Sequence, residues 1–226
     1  MFYRIAHRGA SGYEVENTIE SIQKAIEIGV DGIELDVHVC ASGEVVVFHD
    51  FTLDRLTKTI GPVSNFSLSE LKQIKIKEKY TIPTLLEVLE LTKDECWLNV
   101  ELKGMHSAKA TYEVLEKFCV ENNYQRSNFL ISSFQIDELK TFSQLSIDFP
   151  LAVLTQASIE QAIDLAIEIQ AKAIHPHFSL LTEESCNKAK ELGLQINTWT
   201  VNEKIDIEHV KRFSIDGIIS DFPDRI

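Results

Sequence analysis

The chain has 226 residues, of which 44% are hydrophobic and 25% are charged, and its formal net charge is −13. This length and composition are typical of a globular protein with one sizeable core. The negative charge argues against nucleic acid or an anionic membrane as the main partner, because both require a basic surface.

The cysteines and the chain ends indicate a cellular compartment. None of the four cysteines stands in a Cys-x-x-Cys pair, so the sequence predicts neither a disulfide framework nor a zinc site and fits a reducing compartment. No apolar run is long enough to span a bilayer, and the opening MFYRIAHRG leaves no room for a cleavable signal. We expect a cytoplasmic protein without stable membrane anchoring, and the sequence predicts no particular oligomeric state.

Short apolar runs alternate with amphipathic segments along the chain. The first run covers residues 2–6, and a helix with apolar side chains at helical spacing follows over residues 17–29. Further strands are predicted at residues 32–39, 45–48, 97–102, 129–132, 151–154, 173–175, 195–199 and 217–220. Further helices are predicted at residues 84–91, 108–121, 136–145, 159–169, 183–192 and 204–211.

Nine strand candidates are one more than a (β/α)8 barrel contains. Only residues 40–44 separate the second from the third, which is too short for a parallel crossover but suits a hairpin turn at Ser42-Gly43. The third run is therefore an antiparallel arm. A turn centred on this dipeptide places Asp36 opposite His49.

The eight remaining strands predict an α/β fold, a TIM (β/α)8 barrel with a β-hairpin arm. An irregular, polar insertion follows the hairpin over residues 51–80, and it holds too few large apolar residues for an independent core. The chain ends soon after the eighth strand, so the eighth helix is short or absent. We expect residues 1–226 to form a single domain.

Polar residues cluster where the predicted strands end, which is the catalytic face of such a barrel. Glu34 and Asp36 share one face of their strand because side chains alternate with period two, and Glu101 ends the neighbouring strand. Three carboxylates in apolar strands are costly without a counter-ion. An all-oxygen ligand set suits a hard cation such as Mg2+, Ca2+ or Mn2+, although exposed strand-end carboxylates are the alternative.

The remaining polar residues at these strand ends suit proton transfer and phosphate binding. His7 and His49 are candidates for acid–base catalysis, since imidazole exchanges protons near neutral pH. Arg8 offers a bidentate fork for phosphate and Lys103 a point charge. For Lys103, a salt bridge to the nearby carboxylates is an equally good interpretation.

Seven segments, in order, resemble the glycerophosphodiester phosphodiesterase family, whose TIM barrel is related to phosphatidylinositol-type phospholipases. They are HRGASGYEVENT, DGIELDVHVCASGEVVVFHD, IPTLLEVLEL, NVELK, ISSF, NTWTVN and DGIISDFPD. The resemblance implies hydrolysis of a small-molecule glycerophosphodiester to glycerol 3-phosphate and an alcohol. It also implies one divalent cation, Ca2+ or Mg2+, with Mn2+ as a third candidate.

The resemblance also assigns roles to the polar residues. It implies His7 and His49 as the acid–base pair, Glu34, Asp36 and Glu101 as metal ligands, Arg8 and Lys103 as phosphate contacts, and Trp199 as a wall of the glycerol pocket. Val15 stands where the family usually has proline. Asn17 belongs to the family's PENT segment, and we interpret it as the N-cap of the first helix.

Two other functions stay open at this point. A lysophospholipase D-type enzyme would use the same site on lipid phosphodiesters, and an apolar groove near residues 51–80 would favour it. A barrel that binds a phosphodiester without cleaving it is the second alternative. The intact set of two histidines and three carboxylates argues against that one.

Overall fold

The computed structural model describes residues 2–226. Its elements follow one another along the chain as helices and strands in alternation, with extra short elements after the second strand. In chain order they are β1 (Tyr3–His7), α1 (Ile19–Ile28), β2 (Gly32–Val39), β3 (Val45–Val47), α2 (Leu68–Leu71), β4 (Lys75–Ile76), β5 (Tyr80–Thr81), α3 (Leu85–Thr92), β6 (Trp97–Leu102), α4 (Ser107–Asn122), β7 (Phe129–Ser133), α5 (Ile136–Leu145), β8 (Leu151–Thr155), α6 (Ile159–Glu168), β9 (Ala173–Pro176), α7 (Glu183–Glu191), β10 (Gln195–Thr198), α8 (Lys204–Val210) and β11 (Gly217–Ser220).

Eight parallel strands close into a barrel, which confirms the predicted fold class. Going round the barrel, the order is β1, β2, β6, β7, β8, β9, β10 and β11, and β1 pairs with both β11 and β2. β11 is followed by a single 3-10 turn, Pro223–Arg225, where an eighth helix would stand. None of the helices within residues 2–226 combines the length and apolar character that crossing a bilayer requires.

The main apolar core lies between the strands and the surrounding helices. On β2, Ile33, Leu35 and Val37 enter this core, so Glu34 and Asp36 point the other way, into the barrel. The two-residue period of a strand therefore separates the residues that stabilise the barrel from those that can carry chemistry.

The hairpin arm forms as predicted, but its register differs by one residue. Val37 pairs with Val47 and Val39 with Val45, and the Phe48 amide donates to the Asp36 carbonyl at 3.0 Å. Phe48, and not His49, therefore lies opposite Asp36. The physical reason is a three-residue loop, residues 41–43, whose last residue is Gly43 at φ +98°.

The insertion after the hairpin contains more structure than the sequence predicted. A helical turn, α2, lies in this segment and is followed by the antiparallel pair β4–β5, which ends at Thr81. The prediction of an irregular segment was wrong because scattered apolar residues pack against Val46 and Phe48 of the hairpin and form a second small core. Its members from the insertion are Leu53, Leu56, Val63, Leu71, Ile76 and Tyr80.

Candidate active site

Strand register brings the predicted site residues together at one end of the barrel. His7 is the partner of Glu34 across β1 and β2, and Asp36 is the partner of Glu101 across β2 and β6. Residues paired across neighbouring strands project from the same face of a sheet. The two pairs therefore converge inside the C-terminal mouth, where barrel enzymes carry their active sites.

Three buried carboxylates form the centre of this site. Glu34, Asp36 and Glu101 each offer an oxygen, and these oxygens all lie within 4.8 Å of one another. The Arg8 amide donates to Glu34 at 2.9 Å, and the Asn17 side-chain amide donates to Asp36 Oδ2 at 2.8 Å. The other oxygen of Asp36, Oδ1, is buried and has no hydrogen-bond partner among residues 2–226.

The pKa values show how unfavourable three buried charges are here. Burial and the nearby Asp36 charge raise the pKa of Glu101 to about 7. Burial, followed by the charges of Asp36 and Glu101, raises the pKa of Glu34 well above its usual range. Burial also opposes ionisation of Asp36, but Arg8 and Lys103 outweigh it and lower its pKa. In the described part of the chain, Asp36 Oδ1 accepts no hydrogen bond and has only Lys103 Nζ at 3.5 Å, so the cluster fits a hard cation, which would relieve the repulsion.

Each histidine of the site has its own carboxylate partner. The Nδ1 atom of His7 lies 2.6 Å from Asp221 Oδ1, and the Nδ1 atom of His49 lies 2.7 Å from Asp50 Oδ1. A proton on Nδ1 that is donated to the carboxylate leaves Nε2 as the basic nitrogen. Burial lowers the pKa of His49, although Asp36 opposes the shift, so its neutral form is favoured near pH 7.

The two cationic residues lie against the carboxylate cluster. Arg8 Nε is 3.3 Å from Asp36 Oδ2, and Arg8 Nη1 donates to Glu16 at 2.8 Å. Lys103 Nζ donates to Glu101 at 2.8 Å and lies 3.5 Å from Asp36. The salt bridge that was one interpretation of Lys103 is therefore present.

A cavity of about 370 Å3 opens at this mouth. It is lined by His7, Arg8, Glu34, His49, Glu101, Lys103 and Trp199, together with apolar and amide side chains of the later strands. The eighth predicted residue, Asp36, is fully buried beside the other carboxylates.

The Trp199 indole donates to the His175 carbonyl at 2.7 Å and contacts the Phe134 ring edge-on, which fixes its orientation. The cavity thus combines a charged floor with an aromatic wall.

Asn17 has a different position from the one predicted. The N-cap of α1 is Thr18, whose side chain accepts from the Ser21 amide. Asn17 precedes the cap at φ +56°, a left-handed conformation that asparagine tolerates. Its buried side chain bonds to Asp36 instead. The N-cap interpretation was wrong because a tertiary contact, which the local pattern does not contain, decides this side chain's place.

Sequence reasoning assigned no role to Asp50, Asp221 or Arg55. Asp50 directly follows His49, and Asp221 follows the last barrel strand, so position near a strand end was the available signal for both. Arg55 lies in the insertion, six residues beyond His49, and its contact with the site depends on how that segment folds.

The fold is that of a TIM barrel, and the charged candidate site lies at the C-terminal mouth, where enzymes of this fold carry their active sites. Residues 7–225 match the model of the glycerophosphoryl diester phosphodiesterase family, so the chain belongs to that family and is a phosphoric diester hydrolase. The predicted family is thereby confirmed.

Similar proteins cover nearly the whole chain. A glycerophosphodiester phosphodiesterase from Caldanaerobacter subterraneus subsp. tengcongensis is 36% identical, over 98% of this chain and 95% of its own length. One from Bacillus altitudinis is 34% identical, over 97% and 94%. A solved phosphodiesterase from Oleispira antarctica, in complex with the product sn-glycerol-3-phosphate, superposes with a TM-score of 0.90 at 28% identity, over 98% of this chain and 94% of that one.

Proposed function

We propose that this enzyme hydrolyses glycerophosphodiesters to glycerol 3-phosphate and an alcohol in a reaction that depends on one divalent cation. One observation carries the proposal: two histidines, each with a carboxylate partner, line the same cavity as a buried cluster of three carboxylates. The product bound to the Oleispira antarctica enzyme supports the substrate class. The substrate is a small molecule, and cysteine usage favours the cytoplasm as the place of the reaction.

The carboxylate cluster is the proposed metal site. Glu34, Asp36 and Glu101 would hold Ca2+ or Mg2+, because their oxygen-only set suits hard cations. Such a cation supplies a positive charge that stabilises the negative charge developing on the phosphoryl oxygens. Asn17 and the Arg8 amide hold two of the carboxylates in place for it.

Arg8 and Lys103 are the proposed phosphate contacts. Both lie at the cavity surface with their charged ends against the carboxylates. A phosphate group entering here meets their N–H donors, and each gives the strong charge-assisted hydrogen bonds that phosphate oxygens accept. Trp199, with Phe134 at its edge, provides an apolar wall for the carbons of the glycerol.

His7 and His49 are the proposed acid–base pair. One imidazole takes the proton of the attacking hydroxyl and the other donates a proton to the leaving alcohol. Attack by water gives glycerol 3-phosphate directly, whereas attack by the substrate's own glycerol hydroxyl gives a cyclic phosphate, which water then opens to glycerol 3-phosphate. Asp221 and Asp50 accept from the two Nδ1 atoms. They thereby keep each ring oriented with Nε2 available for proton transfer.

A coupled assay for glycerol 3-phosphate release tests this function. We expect turnover of glycerophosphocholine and glycerophosphoethanolamine, loss of turnover with a chelator, and recovery with Ca2+ or Mg2+. Turnover that is unaffected by thorough chelation would contradict the metal dependence. Binding without release would indicate a non-catalytic barrel.

A lysophospholipase D activity is the second candidate. Phe51 and Phe134 both line the cavity and are 55% and 38% exposed, so a lipid chain would find apolar surface at the mouth. For this reason lysophosphatidylcholine is tested beside glycerophosphocholine in an assay for choline release, because cleavage of the lysolipid gives choline and lysophosphatidic acid and no glycerol 3-phosphate. A kcat/KM for the lysolipid above that for glycerophosphocholine would favour the second candidate.

A further inference from the structure

We propose that Arg55 is a positioning residue that orients His49 and Arg8 together, through one chain of ion pairs. The inference rests on the proposed roles of His49 as an acid–base residue and Arg8 as a phosphate contact. It extends the active site into the insertion, because Arg55 lies in that segment between Leu53 and Leu56, two members of the small second core. Its backbone is therefore anchored although its side chain is 46% exposed.

The guanidinium of Arg55 binds two carboxylates at once. Its Nε atom donates to Asp50 Oδ2 at 2.6 Å, and Nη2 donates to Asp50 Oδ1 at 3.0 Å. Its Nη1 atom donates to Glu16 Oε2 at 2.8 Å, and Nη2 donates to Glu16 Oε1 at 2.7 Å. Both contacts are bidentate, the geometry in which a guanidinium fixes a carboxylate most firmly.

Each of these carboxylates has one further partner, and that partner is a proposed functional residue. Asp50 Oδ1 receives His49 Nδ1 at 2.7 Å. Glu16 Oε1 receives Arg8 Nη1 at 2.8 Å. The chain therefore runs from His49 through Asp50, Arg55 and Glu16 to Arg8, and Arg55 is its midpoint.

The charges along this chain explain why its midpoint is arginine. Hydrogen bonds from Arg55 are the main cause that lowers the pKa of Asp50 to about 2, so the guanidinium favours the charged form of the carboxylate that contacts His49. Lysine has a single ammonium group and cannot hold two carboxylates in two fixed planes. Without the guanidinium, Asp50 and Glu16 lose the contacts that orient them towards His49 and Arg8.

Arg55→Gln tests the proposal, with Arg126→Gln as the matched control. Arg126 also makes a bidentate ion pair, with Glu116, but it precedes β7 at the opposite end of the barrel. We expect Arg55→Gln to lower kcat/KM for glycerophosphocholine about 10- to 100-fold, the usual cost of losing a residue that supports a site. We expect a similar loss of kcat/KM in Arg55→Lys and a wild-type kcat/KM in Arg126→Gln.

Double-mutant cycles separate positioning from a general loss of structure. If Arg55 acts on His49 through Asp50, Arg55→Gln adds no further loss of kcat to Asp50→Asn. If it acts on Arg8 through Glu16, Arg55→Gln adds no further rise of KM to Glu16→Gln. The proposal would be overturned if the losses of the single variants multiplied in the double variants of both cycles. It would also be overturned if Arg55→Gln and Arg55→Lys both kept the wild-type kcat and KM.

A spectroscopic measurement provides a readout that a purely structural role would not change. Nitrogen-15 NMR of labelled histidine reports the tautomer of each ring. We expect His49 to hold its proton on Nδ1 in the wild type and to show a mixture of tautomers in Arg55→Gln, with His7 unchanged. An unaltered His49 tautomer would contradict the proposal even if Arg55→Gln were less stable.

His49→Ala, assayed in parallel, separates the proposed catalytic role of His49 from the proposed positioning role of Arg55. Wild-type turnover in His49→Ala would refute the proposed catalytic role itself. An inactive His49→Ala beside a fully active Arg55→Gln would refute the role of Arg55 alone.

Discussion

At the scale of single residues, the carboxylates behind the histidines are themselves held by several neighbours. Asp221 receives the Ser11 hydroxyl at 2.8 Å and the Asn202 amide at 2.6 Å, in addition to His7. A carboxylate with three donors has little freedom to rotate, and its hydrogen bond to His7 limits rotation of the imidazole ring as well. The orientation of the ring is thus determined by residues from three separate loops.

Asp221 should make stability depend on pH. Burial alone would raise the pKa of Asp221, but hydrogen bonds from His7, Ser11 and Asn202 outweigh it and lower the pKa to about 2. Because the folded-state pKa lies below the unfolded value of about 3.9, the stabilisation is present above pH 4 and is lost as the pH falls from about 4 to 2. We expect Asp221→Asn to lower the free energy of unfolding at pH 7 by about 1–2 kcal/mol, after discounting for partial exposure.

Denaturant unfolding at a series of pH values checks this prediction. The loss of stability between pH 4 and pH 2 should be shallower in Asp221→Asn than in the wild type. Asp164→Asn, which changes an exposed carboxylate on α6, is the control and should keep the wild-type slope. Equal slopes in all three proteins would contradict the prediction.

The carboxylate cluster should make the folded protein bind a divalent cation without substrate. A ligand that binds only the folded state stabilises it, by about 2.7 kcal/mol at a hundredfold excess over Kd. We expect Ca2+ or Mg2+ to raise Tm in the wild type and Glu34→Gln to reduce that rise, since one of three ligands is changed. Glu90→Gln, on the exposed face of α3, should respond as the wild type does. An equal rise of Tm in Glu34→Gln and the wild type would contradict the assignment.

At the scale of elements, the hairpin between β2 and β3 determines where His49 lies. Strand parity was enough to predict that Glu34 and Asp36 share a face. The register of the arm was missed by one residue, because a two-residue and a three-residue loop both suit a Ser-Gly turn and differ only in backbone conformation. The residue types in the turn discriminate only weakly between the two loop lengths. The packing of Val46 and Phe48 against the insertion also contributes to the register.

Substitution of Gly43 tests the importance of this turn. A Cβ at Gly43 would meet nothing within 4 Å, so the cost of Gly43→Ala is the strain of φ +98°, about 1–2 kcal/mol. Gly29, the C-cap of α1, is a matched control with φ +75° and equally open surroundings. We expect similar losses of unfolding free energy in both variants, and a fall in kcat only in Gly43→Ala, whose strain displaces the arm that carries His49. Equal kcat values in the two variants would contradict this role of the turn.

At the scale of the whole molecule, the barrel was predictable because strand and helix segments alternate regularly along the sequence. Alternating strands and helices, with one short hairpin, leave eight parallel strands, and closure follows from pairing of β1 with β11. The insertion was less predictable, because its apolar residues are scattered and gain a core only by packing on the hairpin. The contacts of Asn17 and Arg55 were unpredictable for the same reason, because their partners lie 19 and 39 residues away along the chain.

The central claim is that His7 and His49 divide acid and base catalysis at one site. Steady-state hydrolysis of two substrates tests it most directly: glycerophosphocholine, and the corresponding glycerophosphodiester of p-nitrophenol, whose departure needs no proton. We predict that His7→Ala and His49→Ala each lose about 10²–10⁴-fold in kcat with choline as the leaving group. One of the two should recover most of its activity with p-nitrophenol, and the other should stay impaired with both. Near wild-type turnover of glycerophosphocholine by either variant would contradict the claim.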